Sequence, residues 1–202
     1  MRLFSKLIGS NLNNRRIIVV SGLPRSGTSM LMRMLEEGGI EPLTDKVRTE
    51  DQDNPRGYYE YEAVKKLKEG EFSWLPLAQG KAVKVISALL SYLPNDYSYY
   101  VLFTQRSVSE VLASQHAMLI NRGEDPDKIV DAEMAATFEK HLAQVMHWLN
   151  NQKNISTLYV DYNRMIKEPG PDARRINSFL GESLNIERMV AIIEPDLYRH
   201  RR

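Results

Sequence analysis

Short apolar runs alternate with amphipathic stretches along this chain. Four of the runs are rich in β-branched and aromatic residues, which is typical of buried strands. They are residues 16–22 (RIIVVSG), 82–86 (AVKVI), 99–104 (YYVLFT) and 155–161 (ISTLYVD). The stretches between them carry apolar residues at helical spacing, and strands separated by helices indicate a parallel sheet covered on both faces. The pattern therefore predicts a three-layer α/β domain around a parallel sheet of about four to five strands.

Turn and capping signals set the boundaries of the predicted elements. The first helix ends at Gly38-Gly39, and the polar residues 41–60, rich in Pro, Gly, Asp and Glu, form a long loop before a short helix over 60–69. Ser107 and Glu110 have the spacing of a capping box, which predicts a helix to about residue 121. Further helices are predicted over residues 131–151, 172–180 and 186–193. In the first of these, the stripe predicted to face the core is Met134, Phe138, Leu142, Val145 and Leu149.

Composition bounds the class of protein. The chain has 202 residues, enough for one domain over 1–202 with a full core. Its net charge of +1 gives no field that would attract nucleic acid, and the absence of cysteine excludes disulfides and thiolate metal sites. Residues 1–15 are basic with a short apolar run, without the features of a secretion signal or a membrane span. We therefore expect a leader over these residues on a cytoplasmic protein.

Residues 22–30, GLPRSGTSM, lie between the first strand and the first helix. A strand, a glycine-rich turn and a helix form the usual context of a phosphate-binding loop, since the first amides of the helix point at the anion. An ATP-binding loop of this shape carries a lysine where this chain has Thr28. The loop therefore favours a compact anion held without a metal. Its expected ligand contacts are Pro24, Arg25, Ser26, Gly27, Thr28 and Ser29.

A second candidate anion site lies in residues 104–115, TQRSVSEVLASQ. Arg106 closes the third strand and Ser107 begins the next helix. Ser114 follows two helical turns later, about 10 Å further along the same face. An arginine at the carboxyl end of a parallel strand, with a hydroxyl on the adjoining helix, suits a second phosphate.

Together the two motifs resemble those of the PAPS-dependent sulfotransferases, a branch of the P-loop fold. LPRSGTSMLMRML (23–35) is similar to the family's 5′-phosphosulfate loop, in the arginine form of tyrosylprotein and many bacterial sulfotransferases. RSVSEVLAS (106–114) is similar to the 3′-phosphate motif. LYVDY (158–162) resembles a later segment and places Tyr159 near the adenine, and NPRGYYE (54–60) is similar to a segment of bacterial sulfotransferase-like proteins.

The resemblance implies a P-loop NTPase-like fold and transfer of a sulfuryl group from 3′-phosphoadenosine 5′-phosphosulfate (PAPS) to an acceptor hydroxyl or amine. The product is 3′,5′-ADP, and no metal is required. Arg25 would compensate charge in the transition state, while Arg106 and Ser114 would hold the 3′-phosphate. The expected partner is a small-molecule or peptide acceptor, with no nucleic acid and no membrane. Whether the protein forms a homodimer is left open.

The chain departs from the family at the general base. The cytosolic enzymes place a histidine just after the strand that matches residues 82–86, whereas this chain continues with Ser87. Its own histidines lie elsewhere in the sequence, at positions 116, 141, 147 and 200. A carboxylate is therefore expected, with Glu60 first because it sits where the long loop meets a helix, followed by Glu50 and Asp51. A helix-start role favoured by the dipole is the alternative for Glu60.

One other departure concerns the 3′-phosphate site. The basic segment that completes the family's 3′-phosphate grip is not recognisable, and the tail 199–202 is the candidate substitute. Two other function classes stay open. A Mg²⁺-dependent P-loop kinase or nucleotide-binding protein would need Asp161 to hold the metal and Lys84 to replace the missing lysine. A non-catalytic binding protein on a sulfotransferase fold is the other.

Overall fold

The computed structural model describes residues 16–45, 47, 57–125, 131–181 and 183–193. Within these residues, four strands form one parallel sheet in the order β2-β1-β3-β4. They are β1 (Ile17–Ser21), β2 (Ala82–Lys84), β3 (Tyr99–Gln105) and β4 (Ile155–Asp161). The strand segments and the parallel α/β fold predicted from the sequence are confirmed, although β2 ends two residues earlier than expected.

Helices cover both faces of the sheet. The α-helices of the described part of the chain are α1 (Thr28–Gly38), α2 (Leu75–Ala78), α3 (Val108–Asn121), α4 (Asp131–Asn150), α5 (Tyr162–Lys167), α6 (Pro169–Leu180) and α7 (Ile186–Ala191). Two 3-10 helices span Glu62–Glu69 and Ser87–Tyr92. Three short elements, α2, α5 and the second 3-10 helix, were not predicted from the sequence.

Two apolar cores give the domain its three layers. Every residue of β1 is buried, which explains why the strand reads as a continuous apolar run. Ile17 and Val19 face a core that includes Leu75 of α2 and Leu149 of α4. Ile18 and Val20 face the opposite core, which is built mainly from α1, α6 and α7.

The apolar stripe of α4 enters the core only in its second half. Leu149 is buried, and Leu142 and Val145 pack against the same core, whereas Met134 and Phe138 are only half-buried. A 20-residue helix is about 30 Å long, while the seven residues of β4 span about 23 Å. The first turns of α4 therefore contribute no residue to this core, and the prediction of a core stripe is wrong for them.

The capping box predicted at the start of α3 does not form. Ser107 is the N-cap residue, but its side chain makes no capping hydrogen bond and instead lies 2.7 Å from the Ser109 hydroxyl. The Glu110 side chain is buried and accepts a hydrogen bond from Arg106. A buried ion pair with Arg106 thus replaces the exposed cap, because α3 presents this face to the loop after β1.

Candidate functional site

The glycine loop leaves the carboxyl end of β1 and ends where α1 begins. Arg25 and Gly27 both have left-handed backbone, with φ of 69° and 95°, and Leu31 donates to the Gly27 carbonyl at 3.1 Å to start the helix. This path turns the first amides of α1 toward the mouth of the loop, where an anion would lie. Pro24 is exposed and Thr28 is buried, so a ligand contact from Thr28 would come mainly from its backbone.

Hydroxyl groups under the loop fasten it to β3. The Ser26 hydroxyl is buried, donates to the Leu23 carbonyl at 2.6 Å and lies 2.7 Å from the Thr104 hydroxyl. Thr104 in turn donates to the Ser21 carbonyl at 3.1 Å. A Cβ at Gly22 would strike the hydroxyls of Thr104 and Ser26, so only glycine fits there. The Ser26 side chain therefore has a structural role. The ligand contact predicted for Ser26 stays a prediction, and it would come from the backbone amide.

The ring of Tyr162 packs against the loop at Gly27. A Cβ at Gly27 would overlap the ring carbons Cδ2 and Cε2, and the Arg106 guanidinium lies 4.7 Å from the ring centroid. Burial raises the pKa of the Tyr162 phenol, while the nearby cation of Arg106 opposes the rise. Tyr162 is not among the site residues predicted from the sequence. It lies in the LYVDY segment quoted for Tyr159, but its contact with Gly27 spans 135 residues.

Arg25 and Ser114, predicted in two separate motifs, meet in the structure. Arg25 donates from Nε to the Ser114 hydroxyl at 3.0 Å, and Ser114 is buried on α3. Arg106 donates from Nη1 to the Arg25 carbonyl at 2.9 Å. The two candidate anion sites are therefore parts of one surface, joined by the backbone and side chain of Arg25.

Arg106 sits in a network of buried polar groups. Its side chain is 6% exposed, and its Nε donates to Glu110 Oε2 at 3.0 Å. The other carboxylate oxygen, Oε1, accepts from Asn163 Nδ2 at 3.0 Å. The sequence pattern predicts a helix-cap role for Glu110 and gives no signal for Asn163. An i,i+4 spacing between Arg106 and Glu110 was the available signal for the ion pair.

A third cation reaches the loop from β2. Lys84, 10% exposed, donates to the Ser29 hydroxyl at 3.2 Å and to the Tyr58 carbonyl at 2.6 Å. Its Nζ lies 3.9 Å from Glu60 Oε1, and Lys65 lies 3.3 Å from Glu60 Oε2. Glu60 is thus brought beside the start of α1, within one cluster of charges that includes Lys84.

The backbone of Glu60 is held in place, although by the preceding loop and not by the start of a helix as expected. Its carbonyl accepts from the Thr44 hydroxyl at 2.9 Å and the Asp45 amide at 3.4 Å, and its side chain is 18% exposed. The helix that follows is a 3-10 helix and begins two residues later than expected. The candidates Glu50 and Asp51 lie outside the described residues, and so does the tail 199–202.

Two residues near the end of β4 have structural partners. The Tyr159 hydroxyl donates to Asn150 Oδ1 at 3.3 Å, and its ring packs edge-on against Phe103, so its adenine contact stays a prediction. Asp161, the candidate Mg²⁺ ligand, accepts from the Arg164 amide at 2.8 Å and caps α5. Among the described residues, no group of three or more His, Asp or Glu is arranged to hold a metal.

A histidine reaches the segment after β2, although the sequence places none there. His141 of α4 lies with Nε2 2.9 Å from the Ser87 hydroxyl, and Ser87 is buried. The Ser87 amide donates to the Gly22 carbonyl at 3.0 Å, so the pair sits directly behind the start of the loop. The sequence could not show this contact because its partners are 54 residues apart.

In the part of the chain that the structure describes, no helix is long and apolar enough to span a membrane.

Comparisons with known proteins bear on the family and the fold of this chain. Residues 15–198 match the sulfotransferase domain family. Among curated proteins no match to this chain is found. Sulfotransferase STF1 from Mycobacterium tuberculosis H37Rv is similar in structure, with a TM-score of 0.57 and 15% identity over 93% of this chain and 73% of that one. The sulfotransferase domain of the Synechococcus PCC 7002 olefin synthase is similar with a TM-score of 0.54 and 14% identity, over 91% of this chain and 79% of that one. The sulfotransferase domain from the curacin biosynthetic pathway is similar with a TM-score of 0.54 and 15% identity, over 90% of this chain and 78% of that one.

Proposed function

Because the chain belongs to the sulfotransferase family, we propose that it moves a sulfuryl group from PAPS to the hydroxyl or amine of a small-molecule or peptide acceptor. The observation that carries the proposal is the contact of Arg25 with Ser114. It joins the loop that would take the 5′-phosphosulfate to the helix that would take the 3′-phosphate. A donor with phosphate at both ends of its ribose matches such a continuous surface.

The charges around the loop also suit this donor. Arg25, Arg106 and Lys84 approach from the loop, β3 and β2, and each is a group that can compensate phosphate or sulfate charge. Gly22 and Gly27 let the loop pack closely on the Thr104 and Ser26 hydroxyls and on the ring of Tyr162, where a side chain would have no room. The residues present therefore fit a phosphosulfate without a metal ligand.

In the proposed reaction the acceptor oxygen or nitrogen attacks sulfur, and the bond from sulfur to the bridging oxygen of the donor breaks. The leaving oxygen stays on 3′,5′-ADP, where the Arg25 guanidinium compensates its negative charge. Lys84, held at Ser29, compensates charge on the sulfuryl oxygens. The acceptor proton goes to the Glu60 carboxylate, which the fixed backbone of that residue keeps beside the loop.

A second candidate function is a Mg²⁺-dependent kinase or nucleotide-binding protein. The position of Lys84 favours it, since an ammonium group 3.2 Å from the Ser29 hydroxyl supplies the cation that the loop lacks. The capping role of Asp161 argues against a Mg²⁺-dependent function, because that carboxylate already accepts a hydrogen bond from the Arg164 amide. A non-catalytic protein would keep the anion surface but transfer no group.

Transfer of label from radioactive PAPS tests the proposal. The protein is incubated with a panel of phenols, alcohols, amines and tyrosine peptides in EDTA, with Arg25→Ala as the control. We expect labelled acceptor from the wild type without metal, and at least tenfold less from the variant, since a charge-assisted contact is typically worth about 1.5–3 kcal/mol. Hydrolysis of ATP that requires Mg²⁺, with no labelled acceptor, would support the kinase instead.

A further inference from the structure

Glu110 is a buried carboxylate that accepts hydrogen bonds from Arg106 and Asn163 and has no assigned role. Its side chain is 5% exposed, its Oε2 accepts from Arg106 Nε at 3.0 Å, and its Oε1 accepts from Asn163 Nδ2 at 3.0 Å. Burying a carboxylate is costly unless charge and hydrogen bonds compensate it. The chain nevertheless places one directly beside the arginine of the candidate 3′-phosphate site, where a negative charge works against phosphate binding.

The contacts of Arg106 fix the plane of its guanidinium. Nε donates to Glu110, Nη1 donates to the Arg25 carbonyl, and the guanidinium carbon lies over the ring of Tyr162 at 4.7 Å from its centroid. These contacts come from three different directions in the fold, and together they hold the group in one orientation. A guanidinium recognises phosphate best with its donors fixed in one plane, because the fork geometry then matches the phosphate oxygens.

We propose that Glu110 is a positioning residue: it orients Arg106 for the 3′-phosphate of the donor, with Asn163 holding the carboxylate in place. The inference rests on the proposed function, because it needs a ligand with a 3′-phosphate. The alternative is purely electrostatic. If Glu110 only offset the charge of Arg106, its removal would strengthen phosphate binding rather than weaken it.

The preference for 3′,5′-ADP over 5′-ADP separates these accounts. It is the ratio of the two dissociation constants, measured by calorimetric titration for the wild type, Glu110→Gln and Asn163→Ala. Glutamine keeps the size of the side chain but loses its charge, and it offers only one acceptor oxygen in place of two. We expect the preference to fall by about fivefold or more in Glu110→Gln, since contacts of charged groups are typically worth tenfold or more. Asn163→Ala leaves the ion pair intact and should lower the preference less, in the same direction.

Asp172→Asn is the matched control. Asp172 of α6 is also a buried carboxylate bound by arginines, with Arg164 and Arg175 both 2.6 Å away, but its contacts lie between α5 and α6. This variant should lower the melting temperature, as Glu110→Gln does, while leaving the nucleotide preference unchanged. A merely structural role for Glu110 predicts that the two variants behave alike.

The results distinguish a failure of the proposed function from a failure of the positioning role of Glu110. A wild type that does not prefer 3′,5′-ADP overturns the proposed function and this inference with it. A wild type with the preference, and a Glu110→Gln variant whose preference is unchanged or higher, overturns the role of Glu110 alone. If Glu110→Gln is too unstable to titrate, an unchanged preference in Asn163→Ala has the same consequence.

Discussion

Replacing Gly27 by alanine tests whether the ring of Tyr162 supports the loop. Gly27 has φ of 95°, a conformation that costs a residue with a Cβ roughly 1–2 kcal/mol. The new Cβ would also overlap two ring carbons of Tyr162, and overpacking of this kind costs typically about 1–3 kcal/mol. The expected loss of unfolding free energy is therefore about 2–5 kcal/mol. For a chain of this length that corresponds to roughly 4–20 °C in melting temperature.

Gly39→Ala separates the two contributions. Gly39 also has left-handed backbone, with φ of 107°, but a Cβ there meets nothing within 4 Å. It should lose only the backbone part, about 1–2 kcal/mol. Thermal unfolding of both variants, of Tyr162→Ala and of the Gly27→Ala/Tyr162→Ala double variant measures the overlap in a double-mutant cycle, because the double variant relieves it. If Gly27→Ala is no less stable than Gly39→Ala, the ring of Tyr162 does not pack against Gly27.

Three further substitutions test other parts of the site. Arg106→Ala should weaken 3′,5′-ADP binding about ten- to a hundredfold in calorimetric titration while leaving 5′-ADP nearly unchanged, and equal losses for both would contradict its role at the 3′-phosphate. Glu60→Gln should lower the rate of sulfuryl transfer about a hundred- to ten-thousandfold with near-normal 3′,5′-ADP affinity. Near-normal turnover would instead exclude Glu60 as the base. Ser87→Ala and His141→Ala should show a coupling of about 1 kcal/mol in a double-mutant cycle of unfolding, whereas additive effects would mean that their hydrogen bond contributes nothing.

The sheet could be predicted because its strands are buried on both faces. In β1 every residue is buried, so the apolar run in the sequence is the strand itself. The glycine loop was equally visible, since Gly22 and Gly27 stand at fixed positions between a strand and a helix. Local signals of this kind need no knowledge of how distant segments pack.

The contacts that complete the site depend on packing between distant segments. Lys84 reaches Ser29 across 55 residues, and His141 reaches Ser87 across 54. The sequence indicates Lys84 as a candidate replacement for the missing loop lysine, but no local pattern around Lys84 or His141 reveals the residue that it contacts. Glu110 shows a different limit: its spacing from Ser107 matched a capping box, but burial against Arg106 gave the carboxylate a stronger partner than the helix end.

Binding of adenine nucleotides in the absence of metal tests the central claim most directly. Calorimetric titrations of 3′,5′-ADP, 5′-ADP and ATP are compared in EDTA and with Mg²⁺. A surface that runs from the loop through Arg25 to Ser114 predicts that 3′,5′-ADP binds at least about tenfold more tightly than 5′-ADP, and that Mg²⁺ changes neither value. Equal affinities for the two, or binding of ATP alone and only with Mg²⁺, would contradict the assignment of this site to PAPS.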